Sequence, residues 1–230
     1  MKKVFKKINS CRICNDKNLI NIIDLKKQYI QGSFEKENHP QTLKTKIPLQ
    51  LVICKKCSLV QTKHTVSPDA LYENYWYKSG VNFTMTDHLL KLAKESKKIL
   101  KNKNKKIKIL DIGCNDGTLL RSFPKTFIKV GIDPSQIAKK LKSENLTIIN
   151  DFFPSKNILL KYKNNKFDLI TSIAMFYDIQ DPTNFVNNIK TQFGVVLKIA
   201  VPLLLVCLYL NGDVMNIALL AFIWCCCLKM

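Results

Sequence analysis

Two hydrophobic periods alternate along the middle of the chain, and that alternation predicts its elements. From Thr84, with Asp87 completing a capping-box-like start, Met85, Leu89, Leu92, Ser96 and Ile99 recur at helical spacing. A lysine-asparagine run at 101–106 separates this helix from a short β-branched run at 107–112, read as a strand. The polar turn Gly113-Cys114-Asn115-Asp116-Gly117 follows, then a helical pattern over 118–123, then a second strand at 127–132 that ends in Asp133. Ser135 is placed to cap a helix over 136–144, residues 146–150 form a third strand and 166–173 a fourth. Asp181-Pro182 opens a further helix, and 194–201 suits a fifth strand. Strands that alternate with helices imply an α/β, Rossmann-like doubly wound parallel sheet, with ligands gathered at the carboxyl ends of its strands.

Residues 1–70 lack either period and read as a small, loop-rich module. Within them Cys11-Arg12-Ile13-Cys14 and Cys54-Lys55-Lys56-Cys57 each set two thiols at knuckle spacing. Four soft ligands suit a closed, tetrahedral, structural zinc site made of Cys11, Cys14, Cys54 and Cys57. Two unrelated pairs of reduced cysteines are the competing reading, and His39 and His64 are alternative ligands. The 39 residues between the motifs exceed a compact ribbon, so a larger loop is expected there. The segment Leu71-Tyr72-Glu73-Asn74-Tyr75-Trp76-Tyr77-Lys78-Ser79-Gly80 is unusually aromatic for a linker. Its rings can pack as spacers, or Tyr75, Tyr77 and Ser79 can present hydroxyls to a ligand. The expected organisation is a zinc module over 1–70, an aromatic linker and helix over 71–105, a partial Rossmann-like domain over 106–192 and an apolar tail over 193–230.

Charge changes this picture little. The formal net charge is +20, but the cations are nearly all lysine, with arginine only at Arg12 and Arg121. Base readout favours arginine, so no specific nucleic-acid partner is expected, and a nonspecific attraction to anionic substrates is the alternative to a merely solvated surface. The basic start MKKVFKKINS is followed by no apolar segment of the signal-peptide kind, so a cytoplasmic, reducing compartment is expected, where paired CxxC motifs favour metal over disulfide.

The turn chemistry selects among nucleotides. The lysine-serine/threonine pair of a phosphate loop is absent, and Asn115 stands where a dinucleotide turn would carry its middle glycine. Asparagine tolerates left-handed backbone nearly as glycine does, so the tight turn survives. Asp111, inside the strand end, argues against a neighbouring pyrophosphate and for a ligand with an amino or cationic group.

This Asp111-x-Gly113-x-Asn115-Asp116-Gly117 pattern resembles the first motif of the class I S-adenosylmethionine-dependent methyltransferases. The resemblance implies S-adenosylmethionine as cofactor, with Gly113, Asn115, Asp116 and Gly117 at the turn that approaches it. Asp111 would hold its amino end and Asp133 its ribose hydroxyls. Asp151 and Phe152, after the third strand, would meet the adenine; a cap or turn role is the alternative for each acid. The order of CxxC…CxxC, YENYWYKSG, LDIGCNDGTLL, GIDPS and FDLITSIAMFYDIQDP over about residues 8–192 resembles the sugar C-methyltransferase family, with its N-terminal zinc-binding domain. That resemblance implies C-methylation of a small-molecule substrate, a nucleotide-linked 4-keto-deoxy sugar, through a carbanion or enolate. It also implies a substrate or proton-handling role for Tyr77 and, beside it, Tyr75. A non-catalytic zinc-stabilised module that binds cofactor or a partner is the alternative.

After Gln192 the family pattern is expected to stop, since a His-Glu-His constellation should follow and no histidine occurs after His88. Apolar runs at 199–210 and 214–228 stand there instead, each shorter than a membrane-spanning helix and the first interrupted by Pro202. A membrane hairpin, a buried terminal piece and an altered reading frame or end compete. The last is the expectation, because composition and pattern break together, and with it the C-terminal catalytic region that the resemblance implies is expected to be missing, which leaves activity of this chain open.

Overall fold

The computed structural model describes residues 4–30, 45–72, 75–100, 106–162, 167–193, 197–201 and 204–208. They fall into two compact units. One gathers Met1–Tyr75 and Tyr177–Thr183, the other Trp76–Phe176 and Asn184–Val214.

In the first unit β1 (Phe5–Lys7) pairs antiparallel with β5 (His64–Val66), while β2 (Leu19–Tyr29), β3 (Lys46–Cys54) and β4 (Val60–Thr62) form an antiparallel sheet in that order. The larger loop expected between the cysteine pairs is therefore flanked by a long hairpin. Nothing in the sequence announced β2. Its Ile20, Ile22, Ile23 and Leu25 are all exposed, and two register shifts break the pairing, so no clean alternation survives. A short helix, α1 (Pro68–Tyr72), closes this stretch. His39 lies outside the described residues.

The second unit holds the sheet that carries the site. Its strands are β6 (Lys108–Ile112), β7 (Ile128–Ile132), β8 (Thr147–Ile149), β9 (Leu169–Ile173), β10 (Leu197–Val201) and β11 (Leu204–Leu208), in the order β11-β10-β9-β6-β7-β8. All pairings are parallel except β10 with β11. Chain order runs outward from β6 to β7 and β8 on one side, then returns to β9 and β10 on the other. The strand order therefore reverses between β6 and β9, and an open α/β sheet leaves its ligand crevice at that switch point. Ile109, Leu110, Val130 and Ile170 are fully buried, as expected of strands covered on both faces.

Helix α2 (Phe83–Ile99) lays Leu89, Leu92 and Ala93 into one core with Ile107, Ile109, Leu119, Leu120 and Phe123. Its cap is Asn82, whose side chain accepts the Met85 N–H at 3.1 Å, in place of the Thr84 start that the sequence suggests. The helices after the first two strands are short: α3 (Thr118–Arg121) and α4 (Gln136–Lys139). α4 stops well before the expected 144 because Ala138 is its only buried residue, too little apolar surface to carry further turns. The remaining helices are α5 (Lys156–Tyr162) and α6 (Pro182–Phe193).

The expected break after Gln192 meets β10, which continues the parallel sheet on β9 from Leu197 to Val201, with β11 folding back beside it. The run at 101–105 and the second apolar run at 214–228 lie outside the described residues. No helix among the described residues is long and apolar enough to cross a membrane.

Candidate functional site

Two constellations carry chemistry, one in each unit. In the first, both CxxC turns are built alike. The N–H of Cys11 donates to Asp16 O and that of Asn15 to Cys11 O; the N–H of Cys54 donates to Leu59 O and that of Ser58 to Cys54 O. Asn15 and Ser58, one place after each second cysteine, both adopt left-handed backbone, with φ of 58° and 59°. Each turn thus aims two sulfurs one way, and all four Sγ atoms lie within 4.8 Å of one another. The closest pairs are Cys11–Cys57 at 3.6 Å and Cys14–Cys54 at 3.5 Å. Four thiolates at the usual zinc–sulfur distance of about 2.3 Å stand roughly 3.8 Å apart, so the donor set fits tetrahedral zinc as it stands. His64 packs edge-on to Phe5 and is no part of the cluster.

The thiols are unequal. Burial alone would raise Cys11, but N–H groups of Cys14 and Ile13 and the Gln61 amide bring it down to about 7. Burial, reinforced by the neighbouring thiols, pushes Cys57 up to about 12. Without a cation, burial and mutual repulsion oppose charging all four; a divalent ion removes that opposition. The sequence did not reveal the support around Cys11. Gln61, fully buried, donates its Nε2 to Cys11 Sγ at 3.3 Å, while its Oε1 accepts the Arg12 backbone N–H and Nη1 at 3.2 and 3.1 Å. Arg12 is held in turn by Thr62 O and Thr65 Oγ1, each at 2.7 Å.

The second constellation sits at the carboxyl ends of β6 and β7. The chain leaves β6 through three left-handed residues, Gly113, Asn115 and Gly117, at φ of 77°, 50° and 74°. That alternation coils the backbone tightly enough to start α3 at Thr118. Asp111 is buried beside Thr171 of β9, its partner across the sheet, whose hydroxyl donates to Oδ1 at 2.7 Å. Burial raises the Asp111 carboxyl to about 7; the Thr171 bond opposes the rise and the charge of Asp133 adds to it.

Asp133 accepts the Asn115 N–H on Oδ2 at 2.9 Å and the Ser135 N–H on Oδ1 at 2.8 Å, which leaves each oxygen a further lone pair. Asn150 fixes this corner by donating to the carbonyls of Asp133 and Ser135 at 2.8 and 3.0 Å. Asp151, past β8, accepts the N–H of Phe152 at 2.8 Å and the Asn157 amide at 3.3 Å, and the Phe152 ring is half-buried.

Asn115 and Asp116 are engaged differently from the sequence expectation. Their side chains face the segment that carries Tyr77: Asn115 Nδ2 donates to Tyr77 O, Ser79 N–H donates to Asn115 Oδ1 and Gly80 N–H to Asp116 Oδ2. Tyr77 is half-buried, and burial together with the Asp116 charge raises its hydroxyl above the ordinary tyrosine range. Tyr75 belongs to the first unit, edge-on to Tyr72, whose hydroxyl donates to Asp178 at 2.6 Å. Cys114 fills the space over Gly131, and its thiol is pushed far up by burial, so it is a packing group and not a nucleophile.

A profile described as "Methyltransferase domain" matches residues 85–204, which is just over half of the chain. The chain belongs to this methyltransferase family. The matched span passes the expected break and takes in β10. A second profile, "Putative zinc binding domain", matches residues 11–72 and so contains all four cluster cysteines. Among curated relatives, the C-methyltransferase NovU of Streptomyces niveus is 23% identical over 137 residues, 59% of this chain and 32% of that protein. The chain therefore spans about a third of the length of the curated relative it matches. Similar solved structures include the plantazolicin methyltransferase BpumL in complex with a triazolic desmethylPZN analog and SAH, at 20% identity, TM-score 0.39, and coverage of 53% of this chain and 49% of that one. Another is the complex of the Haloferax volcanii Trm112 methyltransferase activator with a methyltransferase, at 17% identity, TM-score 0.36, and coverage of 51% and 56%.

The chain thus carries a methyltransferase-family domain on a Rossmann-like sheet, preceded by a module whose four cysteines fit zinc, and the cofactor that its turn motif implies by resemblance is S-adenosylmethionine. The residues at the turn fit that cofactor by their own chemistry. A buried carboxyl with no cationic partner among the described residues, a backbone turn free of side chains at Gly113 and Gly117, and an acid with two spare lone pairs would suit in turn an ammonium, a close-lying chain and a diol.

Proposed function

We propose that the protein methylates a carbon of a nucleotide-linked 4-keto-deoxy sugar. The observation that carries this reading is the latching of the Tyr77-bearing segment onto the glycine turn. It fixes the backbone of the residue whose phenol, felt by the Asp116 charge, is the partner we assign to a sugar carbonyl or hydroxyl. The resemblance to NovU, itself named a C-methyltransferase, supports carbon as the acceptor atom.

In this reading Asp111 takes the ammonium of the cofactor, Asp133 its ribose hydroxyls, and Asp151 with Phe152 its adenine. S-adenosylmethionine supplies an electrophilic methyl group on a sulfonium. The carbon α to the sugar ketone would pass its proton to a general base, leaving an enolate. The sulfonium methyl would be the electrophile that this enolate carbon takes, with S-adenosylhomocysteine as the leaving group. Tyr77 is the residue of this chain assigned to the carbonyl oxygen, where a phenol kept neutral by burial serves as hydrogen-bond donor. The zinc holds the knuckles and takes no part in the transfer. A reducing, cytoplasmic setting completes the proposal, since the cluster needs its thiols free.

Calorimetry with S-adenosylmethionine, followed by mass analysis of 4-keto-sugar nucleotides incubated with both, tests it. Cofactor binding with gain of one methyl on carbon is the expected result. Binding without transfer to any keto sugar refutes the sugar assignment and leaves a cofactor-binding module; absence of binding at millimolar cofactor refutes the site.

A further inference from the structure

Read from sequence, Asn115 and Asp116 are cofactor-contacting residues; in the structure both side chains turn to a segment more than 30 residues upstream. Asn115 Nδ2 donates to the carbonyl of Tyr77 at 2.9 Å, and its Oδ1 accepts the N–H of Ser79 at 3.1 Å. Asp116 Oδ2 accepts the N–H of Gly80 at 2.8 Å while Oδ1 holds the N–H and hydroxyl of Thr118 at 3.1 and 2.6 Å. The fit leaves no slack. A Cβ on Gly80 would lie 2.7 Å from Thr118 Oγ1 and 2.9 Å from Asp116 Oδ2.

A purely local role would need much less. Capping α3 uses only Asp116 Oδ1, and a left-handed turn residue at 115 needs no side-chain partner outside the turn. The three bonds to 77–80 are surplus to both tasks. Residue 115 also reaches the other way, through its backbone N–H to Asp133 at 2.9 Å. One residue therefore joins the strap that carries Tyr77 to the acid at the end of β7.

We propose that Asn115 and Asp116 are positioning residues that latch residues 77–80 onto the cofactor turn. Asn115 sets the place of Tyr77 relative to Asp133, so cofactor occupancy and strap closure stabilise each other. This rests on the methyl-donor reading of the turn. By linkage, a ligand that orders the turn tightens the strap, and loosening the strap weakens the ligand by the same factor.

The test uses the full chain, S-adenosylhomocysteine as probe, calorimetry for affinity and hydrogen exchange of the peptide covering 76–82. Ser79→Pro is the cleanest perturbation. It deletes one N–H at the first residue of a 3-10 turn, and Lys78 already has the extended backbone, φ −115° and ψ 126°, that a following proline requires. It should weaken the probe roughly fivefold to tenfold, the worth of one hydrogen bond, and Asn115→Ala, which loses two strap bonds, by about 30-fold or more. Asp116→Asn keeps an oxygen for Gly80 and should bind better than Asp116→Ala. In every weakened variant exchange should speed up over 76–82 while the strands β6, β7 and β9 stay protected, and in the wild type the probe should slow exchange over 76–82.

Wild-type affinity and unchanged strap exchange in both Ser79→Pro and Asn115→Ala would overturn the latch alone. Loss of protection throughout the sheet would overturn it in favour of a general folding role. Failure of the wild type to bind the probe would remove the methyl-donor reading and with it the coupling.

Discussion

On the proposed reading of the turn, Asp111 would make cofactor binding a proton-linked event. Its carboxyl is buried at the end of β6 and holds its proton to about pH 7, where an ordinary aspartate releases it near 3.8. Keeping it charged in the empty protein costs on the order of 4 kcal/mol relative to water. A cofactor ammonium brought against it removes most of that cost and expels the proton. At pH 6 binding of S-adenosylhomocysteine should release close to one proton, and above pH 8 almost none, so affinity should climb about tenfold per unit below pH 7 and level off above it. Calorimetry in buffers of different ionisation enthalpy reads the proton count directly. Thr171→Val, which deletes the 2.7 Å bond to the carboxylate, should move the midpoint upward. Asp111→Asn should abolish the proton release and bind weakly at every pH.

Stability carries the same signature with the opposite sense. Between about pH 4 and 7 the folded carboxyl holds a proton that the unfolded one has lost. Its contribution is therefore full below pH 4, declines as pH rises through 7 and is gone above. Wild type should lose stability relative to Asp111→Asn across that window. A proton count that is flat from pH 6 to 8, or a wild type whose stability rises relative to Asp111→Asn, would refute the reasoning.

Other outcomes follow from the same coordinates. Metal analysis should find about one zinc per chain, and Cys54→Ser should lose it, with melting confined to exchange-protected amides of the first unit. Gln61→Ala should weaken zinc by about tenfold to a hundredfold in competition with a chromophoric chelator, because Cys11 loses its amide donor. Gly131→Ala should destabilise by about 1–3 kcal/mol in denaturant titration, since its Cβ would meet Cys114 Sγ at 2.6 Å. Cys114→Ala in the same chain should restore only part of that loss, since the Cβ of residue 114 stays 2.9 Å away; if it restores none, the sulfur contact is not the cause.

The sheet was legible because its strands are short apolar runs closed by acids or polar turns, a pattern that survives burial on both faces. β6, β7, β8 and β9 lie where those runs predict them. The hairpin of the first unit was not legible, since β2 exposes the very residues whose alternation would have marked it. At the site, Asp111 and Asp133 could be placed from sequence because a strand's end fixes its last residues in space. Thr171 could have been sought as one of two adjacent hydroxyls, with Ser172, inside an otherwise apolar strand. Gly80 and Asn150 left no such trace, because each matters through a contact with a distant segment of chain.

Gln61 and Asn115 show why amide side chains are the hardest functional residues to read from sequence. Each uses both ends at once. Gln61 accepts from Arg12 and donates to Cys11, while Asn115 accepts from Ser79 and Asp116 and donates to Tyr77. An amide so engaged has one orientation, and it ties two chain segments whose spacing carries no period. The acid of the same shape keeps the acceptor and loses the donor. Gln61→Glu should therefore lose zinc affinity through the Cys11 contact yet keep Arg12 in place, and Asn115→Asp should free Tyr77 while still holding Ser79. If either acid behaved as the wild type, the donor half of that amide would be idle, and the residue would be no more than the turn former that its sequence suggests.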